Sequence, residues 1–281
     1  MSAGKGRVPD HDGRIRCGPA LAFSRHEHHL VGVNKQMTSV PPQGLREVRS
    51  FDRVDTWIFD LDNTLYPFGS ALWPQIDQRI TLFLAQMFGI DGMSSRALQK
   101  YYYERYGTTL CGLMTEYGID PAPFLDFAHD IDRSSLAPHP ALSAAIGALP
   151  GRKLIMTNGS VGHAERTIEQ LGIGAHFDGI FDIVAAEFTP KPDEAAYRRF
   201  FARHGVDPAR SAMFEDLVKN LAVPHATGMT TVLVVPPDPA ADPREPWERR
   251  QHMDGHIDWV TDDIAGFLAA DALAKAAGGA S

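Results

Sequence analysis

The sequence has few cysteines, no surplus of basic residues and no long hydrophobic run. Two cysteines in 281 residues, Cys17 and Cys111, favour a reducing compartment and provide neither a metal-ligand pair nor a disulfide framework. The net charge of −8 argues against nonspecific binding to nucleic acid or to an anionic membrane. No apolar run approaches the length that crosses a membrane. We therefore expect an acidic globular protein with a cytoplasmic location.

The first fifty residues differ in composition from the rest. They carry Gly, Pro, His and Arg in irregular order, so we predict that residues 1–50 are disordered. The segment has basic residues but no apolar core region, which makes it a poor signal peptide. Met37 opens the stretch that leads into the ordered part, and we expect it to be the natural start, with residues 1–36 dispensable. Residues 271–281 are expected to form a flexible tail.

From residue 56 onward, short apolar strand candidates alternate with helix candidates, which is typical of a parallel sheet in an α/β fold. The strand candidates are Thr56–Asp62, Lys153–Asn158, Ile180–Ala185, Ser211–Phe214 and Thr230–Val235. The interval 68–150 interrupts this alternation, because it lacks a strong strand signal and has apolar residues at helical spacing. We predict a helical insertion above the carboxyl ends of the strands, where open α/β sheets bind ligands.

Two carboxylates follow the first strand. The apolar run Trp57–Phe59 indicates a strand covered on both faces. Asp60 and Asp62 then point to the same side, because side chains alternate along a strand. Two like charges so close repel each other, so a structural role is costly without a cation between them. The alternative is an acidic strand end exposed to solvent.

Further polar groups come at the ends of later strand candidates or in the loops after them. Singly, each has an ordinary explanation as a turn, a helix start or a helix cap. Their order and placement together predict one site at the carboxyl edge of the sheet. These residues are Thr157, Asn158, Lys191, Glu215, Asp216 and Asn220.

The chemistry of these groups suits phosphate transfer. Asp60 can act as a nucleophile that forms an acyl-phosphate. Asp62 can protonate the leaving oxygen and then deprotonate the attacking water. Thr157, Asn158 and Lys191 can meet the non-bridging phosphoryl oxygens, where charge spreads in the transition state.

A hard cation is expected beside the carboxylates. Oxygen ligands around Mg²⁺ would relieve the repulsion among Asp60, Glu215 and Asp216. The sequence therefore predicts a Mg²⁺-dependent site.

The four motifs together resemble those of the haloacid dehalogenase superfamily of phosphotransferases. They are DxD at Asp60–Asp62, the Thr157 of MTNGS, the Lys191 of KPD and EDxxxN at Glu215–Asn220. The resemblance covers residues 56 to about 268.

The resemblance implies an α/β fold with a Rossmann-like parallel sheet and a helical cap inserted after the first strand. The catalytic core would comprise 51–67 and 151–270, and the cap 68–150. In that family, the positions of Asp60 and Asp62 are nucleophile and general acid/base.

The resemblance also implies the metal ligands. The backbone carbonyl of Asp62 would bind Mg²⁺ together with Asp60. Asp216 would be a further metal ligand, and Glu215 would bind directly or through water. Asn220 would orient the loop.

The stretch DNTLYP at residues 62–67 resembles the branch called pyrimidine 5′-nucleotidases, whereas more common relatives read DGTL. This implies hydrolysis of UMP or CMP, with Leu61, Tyr66 and Asn158 as candidate substrate-binding residues. The partner would be a small-molecule phosphomonoester, and the protein a monomer or homodimer.

Other functions stay open at this stage. The nearest is a phosphatase for another small phosphomonoester, such as a sugar phosphate or phosphoglycolate, followed by a phosphomutase and a non-catalytic binding protein. A dehalogenase is disfavoured, because that reaction has no leaving oxygen for Asp62 to protonate and no use for Mg²⁺.

The predicted cap carries aromatic residues that could stack on a base, although most residues of this kind pack the interior. His129 is expected to be structural, and 236–250 to form a long loop that decorates the surface or reaches the site. The aromatic candidates are Phe68, Trp73, Tyr101, Tyr102, Tyr103 and Tyr106.

Overall fold

The computed structural model describes residues 49–238 and 255–270. A six-stranded sheet of order β3-β2-β1-β4-β5-β6 forms its centre, and every neighbouring pair is parallel. The strands are β1 (Thr56–Phe59), β2 (Arg152–Met156), β3 (Gly179–Phe181), β4 (Ser211–Glu215), β5 (Thr230–Val234) and β6 (Trp259–Thr261). The predicted α/β fold with a parallel sheet is confirmed.

Helices lie in each interval from β1 to β5, as crossovers between parallel strands require. The α-helices are α1 (Leu72–Phe88), α2 (Gly92–Tyr106), α3 (Thr109–Tyr117), α4 (Pro121–His129), α5 (Pro140–Ala148), α6 (Val161–Gln170), α7 (Glu194–His204) and α8 (Ala222–Thr227).

Strand β1 lies in the middle of the sheet and is buried on both faces. Trp57 and Phe59 pack in one apolar cluster with Phe214, and Ile58 packs in the opposite cluster with Met213. Alternate side chains of β1 therefore enter opposite layers, as the period of two dictates. This burial fixes the register of β1 and with it the position of the carboxylates that follow.

The helical segment between β1 and β2 is divided between two layers. Leu84, Leu113 and Phe124 belong to an apolar cluster formed mainly by helices α1–α4. Leu142 and Ile146 of α5 belong instead to the cluster on the sheet. The helices of the predicted insertion thus contribute to two apolar clusters, and the predicted cap boundaries at residues 68 and 150 remain a prediction.

Several expectations concern the remaining parts of the chain. Within the described ranges, no helix combines the length and apolar character that a bilayer crossing requires. The predictions for residues 1–48, for 239–250 in the long loop and for 271–281 lie outside the described residues.

Candidate active site

The turn after β1 places the paired aspartates at the edge of the sheet. The Asp60 N–H donates to the Phe214 carbonyl at 2.9 Å, so the chain stays paired with β4 one residue beyond the strand. Asn63 then adopts φ 58°, in the left-handed region that Asn and Gly tolerate best. The backbone thus turns away from the sheet and leaves both carboxylates at its carboxyl edge.

The backbone at residue 63 can be tested with two substitutions. Asn63→Gly and Asn63→Ala both remove the amide, but only Ala meets the steric cost of a left-handed backbone. We expect the free energy of unfolding of Asn63→Ala to lie about 1–2 kcal/mol below that of Asn63→Gly. Denaturant titration of the two variants measures this difference, and equal values would contradict the assigned conformation.

Lys191 lies at the centre of the site. Its Nζ donates to Asp60 Oδ1 at 2.6 Å, to Glu215 Oε1 at 2.8 Å and to the Met156 carbonyl at 2.9 Å. All three ammonium protons are therefore used. Burial works to lower the pKa of Lys191, but the charges of Asp60 and Glu215 outweigh it and raise that pKa above its ordinary value. The amine therefore stays protonated.

Asn158 and Thr157 hold the loops around the lysine. Asn158 Oδ1 accepts from the Lys191 N–H at 2.8 Å, and Asn158 Nδ2 donates to the Lys191 carbonyl at 3.3 Å. Thr157 Oγ1 accepts from the Gly159 N–H at 2.9 Å. Both side chains line the cavity described below. Asn158 is thus engaged with the lysine backbone, and its contact with a substrate remains a prediction.

An acidic cluster lies beside the lysine. Asp60, Glu215 and Asp216 are buried, and each places one carboxylate oxygen within 4.8 Å of the others. Against one ammonium group, three carboxylates leave an excess of negative charge in a buried site. Oxygen donors with this charge fit a divalent cation. Burial also raises the pKa of Asp60 to about 7 against the opposing effect of Lys191, and a cation would favour the ionised carboxylate.

The ligands for such a cation are not equivalent. Glu215 Oε1 accepts from Lys191 and from Asn220 Nδ2, the latter at 2.6 Å, and Glu215 Oε2 accepts from the Leu217 N–H at 2.7 Å. Both Glu215 oxygens are thus already hydrogen-bonded to the protein. Glu215 thus orients the lysine and the loop, and the acidic cluster of Asp60, Glu215 and Asp216 as a whole supplies the candidate ligands.

Asp62 has a separate set of partners. Its Oδ1 accepts from the Tyr66 hydroxyl at 2.6 Å and lies 2.8 Å from His163 Nε2. Burial works to raise the pKa of Asp62, but the interactions with His163, followed by the hydrogen bond from Tyr66, bring it to about 2. Leu61, between the two aspartates, has its side chain in the apolar cluster on the sheet, so only its backbone can contact a substrate.

Two histidines beside Asp62 stack on each other. His129 and His163 have ring centroids 4.5 Å apart and planes at 12°, and His129 Nδ1 lies 2.9 Å from Ser160 Oγ. Burial lowers the pKa of His129 to about 3, so its ring is neutral. The sequence did not single out His163, and its one signal is its place in the first turn of the helix that follows MTNGS.

A cavity of about 320 Å³ separates the helical layer from the carboxyl edge of the sheet. Of the predicted aromatic candidates, Trp73 and Tyr103 line it, whereas Tyr102 is buried in the core of the layer. Lys219 Nζ donates to the Tyr103 hydroxyl at 2.9 Å and lies 4.3 Å from the ring centroid. The lining includes Asp60, Asp62, Thr157, Lys191 and Asp216 from the sheet edge and Asp77, Gln99 and Thr108 from the helical side.

A family model described as a haloacid dehalogenase-like hydrolase matches residues 54–226. The chain belongs to this family. The predicted membership of the haloacid dehalogenase superfamily is thereby confirmed, while the pyrimidine 5′-nucleotidase branch remains a prediction.

Two curated relatives of this haloacid dehalogenase-like hydrolase carry names that refer to phosphate. The chain is 29% identical over 195 residues to "Phosphate metabolism protein 8" of Saccharomyces cerevisiae, covering 63% of this chain and 60% of the yeast protein. It is 43% identical over 61 residues to "Enolase-phosphatase E1" of Frankia alni, covering 22% of this chain and 25% of that protein. The chain thus spans less than two thirds of either relative.

A solved structure gives the same fold. The L-2-haloacid dehalogenase from Xanthobacter autotrophicus matches with a TM-score of 0.50 at 18% identity, covering 76% of this chain and 97% of the dehalogenase. At this identity the match establishes the fold of the haloacid dehalogenase-like hydrolase and leaves its reaction open.

Proposed function

We propose that the protein is a Mg²⁺-dependent phosphomonoester hydrolase that works through an aspartyl-phosphate on Asp60, with UMP or CMP as substrate. The observation that carries the proposal is the position of the Asp60 carboxylate. It lies 2.6 Å from the Lys191 ammonium within an acidic cluster and faces a cavity. A carboxylate nucleophile, a fixed cation and room for a leaving group thus meet at one place.

The reaction proceeds in two displacements. A carboxylate oxygen of Asp60 attacks phosphorus, the bond to the ester oxygen breaks, and Asp62 gives its proton to that oxygen. Asp62 then takes a proton from water, whose oxygen attacks phosphorus, and phosphate leaves Asp60 free again. The pKa of Asp62, about 2, means that this carboxylate is ionised in the free site, as the second displacement needs. For the first displacement Asp62 takes up a proton from solvent when the phosphate dianion binds beside it, because a second negative charge raises its pKa.

Asp60 and Asp216 would hold Mg²⁺, with the Asp62 carbonyl as the further ligand that the family resemblance implies. When bound, the cation supplies positive charge that stabilises the phosphoryl oxygens in the transition state. Lys191 adds a fixed ammonium that moderates the repulsion between Asp60 and the incoming phosphate dianion.

The cavity supports a planar leaving group of modest size. Its volume of about 320 Å³ is near the lower end of small-molecule sites. Trp73 and Tyr103 line the cavity, and their rings offer surfaces for a base. A dehalogenase has no leaving oxygen for Asp62 to protonate and no use for Mg²⁺, so the solved neighbour's reaction is the weaker alternative.

The test is phosphate release from a panel of phosphomonoesters with the wild-type protein. The panel contains UMP, CMP, AMP, GMP, phosphoglycolate and several sugar phosphates, each measured with Mg²⁺ and after chelation with EDTA. We expect UMP or CMP to give the highest kcat/KM, with activity lost on chelation and restored by Mg²⁺.

Other outcomes would change the proposal. Preference for a sugar phosphate or phosphoglycolate would keep the mechanism and replace the substrate. Full activity after chelation would contradict the role of the metal. No release from any ester by folded protein would favour a phosphomutase or a binding protein.

A further inference from the structure

A buried histidine and a partly buried arginine near Asp62 have no part in the proposed chemistry. His163 has no exposed surface, and its Nε2 lies 2.8 Å from Asp62 Oδ1. On the other side of the ring, His163 Nδ1 lies 2.8 Å from Arg133 NH2. Asp62, His163 and Arg133 come from three separate segments of the chain, so the fold and not the local sequence brings them into line.

The direction of the hydrogen bonds along this line is fixed by the arginine. A guanidinium group has only donors, so His163 Nδ1 must accept from Arg133. A ring nitrogen that accepts carries no proton, and the neutral ring then bears its hydrogen on Nε2. His163 therefore donates to Asp62, and the contact with Arg133 sets the tautomer.

The arginine is itself held in place. Its guanidinium donates to the carbonyl of Ile131 at 3.2 Å, to the carbonyl of His129 at 3.3 Å and to Thr167 Oγ1 at 3.3 Å. The His163 ring is also restrained by stacking on His129. Both members of the line thus have orientations that the surrounding structure determines.

These contacts fix the orientation of the Asp62 carboxylate. Its Oδ1 receives hydrogen bonds from both Tyr66 and His163, which leaves Oδ2 as the oxygen that can exchange a proton with the substrate. A carboxylate on a loop would otherwise rotate among several orientations, and proton transfer requires one of them.

We propose that Arg133 and His163 are positioning residues that hold Asp62 with Oδ2 directed to the leaving oxygen of the substrate. This inference rests on the proposed phosphomonoesterase function. The proton moves between Asp62 Oδ2 and the leaving oxygen in the first displacement, and between water and Asp62 Oδ2 in the second. The proton on His163 Nε2 stays where it is.

The test compares two leaving groups that differ in their need for an acid. Phenyl phosphate and 4-nitrophenyl phosphate share an aromatic ring, but 4-nitrophenolate leaves readily without protonation and phenolate does not. Because kcat/KM reports the steps up to phosphoryl transfer, their ratio isolates the acid role of Asp62. In His163→Leu we expect kcat/KM for phenyl phosphate to fall by about 100-fold and that for 4-nitrophenyl phosphate by less than about tenfold.

Further variants separate positioning from packing. His163→Gln retains an N–H donor near the position of Nε2 and should recover a large part of the lost activity. Arg133→Met removes the donor to Nδ1 and should shift the ratio in the same direction by a smaller factor. Arg198→Met removes an arginine of α7 that is exposed to solvent and paired with Glu194, and it should change neither rate.

The possible results separate the positioning role of Arg133 and His163 from the phosphomonoesterase function on which it rests. Equal losses on both esters, or Gln no better than Leu, would overturn the positioning role while leaving the phosphomonoesterase intact. No turnover of any phosphomonoester by the wild type would overturn both. If thermal unfolding shows that His163→Leu does not fold, the ratio for the partly buried Arg133→Met decides.

Discussion

Replacing Asp60 by Asn is expected to reduce phosphate release by at least about 10⁴-fold, the scale of loss when an enzyme loses its nucleophile. The amide has nearly the size and shape of the carboxylate but cannot attack phosphorus. The Lys191 ammonium keeps its contacts with Glu215 Oε1 at 2.8 Å and with the Met156 carbonyl at 2.9 Å. The loss should therefore be one of chemistry and leave the fold intact.

Two measurements check this result. Steady-state phosphate release gives the rate, and mass spectrometry of acid-quenched protein shows whether phosphate is attached to the peptide that contains Asp60. This peptide should carry phosphate in the wild type during turnover, and it should carry none in Asp60→Asn. Asp126→Asn, which changes an exposed aspartate on α4, should match the wild type. Phosphate attached to another residue, or turnover by Asp60→Asn near the wild-type rate, would contradict the assignment of Asp60 as the nucleophile.

The fold could be predicted from the sequence because its signals are local. Each β-strand of the sheet centre is a short apolar run, and a parallel sheet follows from the alternation with helices. The carboxyl ends of parallel strands meet at one edge of a sheet, so the sequence alone predicts that residues 60, 157 and 215 lie close together. The sequence did not predict which helices between β1 and β2 pack on the sheet. Helix α5 does so through Leu142 and Ile146, but its sequence resembles that of any apolar helix.

The surroundings of Asp62 could not be predicted for a different reason. Tyr66 is a predicted substrate-binding residue, which remains a prediction, and the hydrogen bond that its hydroxyl donates to Asp62 at 2.6 Å was not foreseen. His163 contacts the same carboxylate from a position far along the chain, and Arg133 contacts His163 on the other side of its ring. Long-range side-chain contacts of this kind depend on how helices pack, which periodicity alone does not determine. A histidine in the first turn of α6 gives no sign of the direction in which its ring points.

Replacing Lys191 by Met is expected to destabilise the protein more than any surface change, by about 3–5 kcal/mol in the free energy of unfolding. Lys191 is 3% exposed, and its ammonium is paired with Asp60 and Glu215. Its removal leaves two buried carboxylates without a cation, and the cost of an unpaired buried charge exceeds the net worth of the pair. Activity should be lost as well, because a repelled phosphate dianion cannot approach Asp60.

A double-mutant cycle tests this explanation against simple loss of packing. Glu215→Gln in the Lys191→Met background removes one of the two unpaired charges. Since the two side chains are in contact, the double variant should be more stable than the sum of the single effects predicts, by about 0.5–3 kcal/mol. Denaturant titration of the four proteins gives the value. Strict additivity would mean that Lys191 acts through packing alone.

The excess of negative charge in the site also predicts how added Mg²⁺ changes the stability of Lys191→Met. Binding to the folded state stabilises a protein by mass action, and Lys191→Met leaves the acidic cluster of Asp60, Glu215 and Asp216 with more uncompensated negative charge than the wild type. Mg²⁺ should therefore raise the Tm of Lys191→Met by more than it raises that of the wild type, and it should restore stability without restoring turnover. An equal rise in both proteins would mean that the cation binds away from this cluster, since only a cation near these carboxylates can sense the missing ammonium.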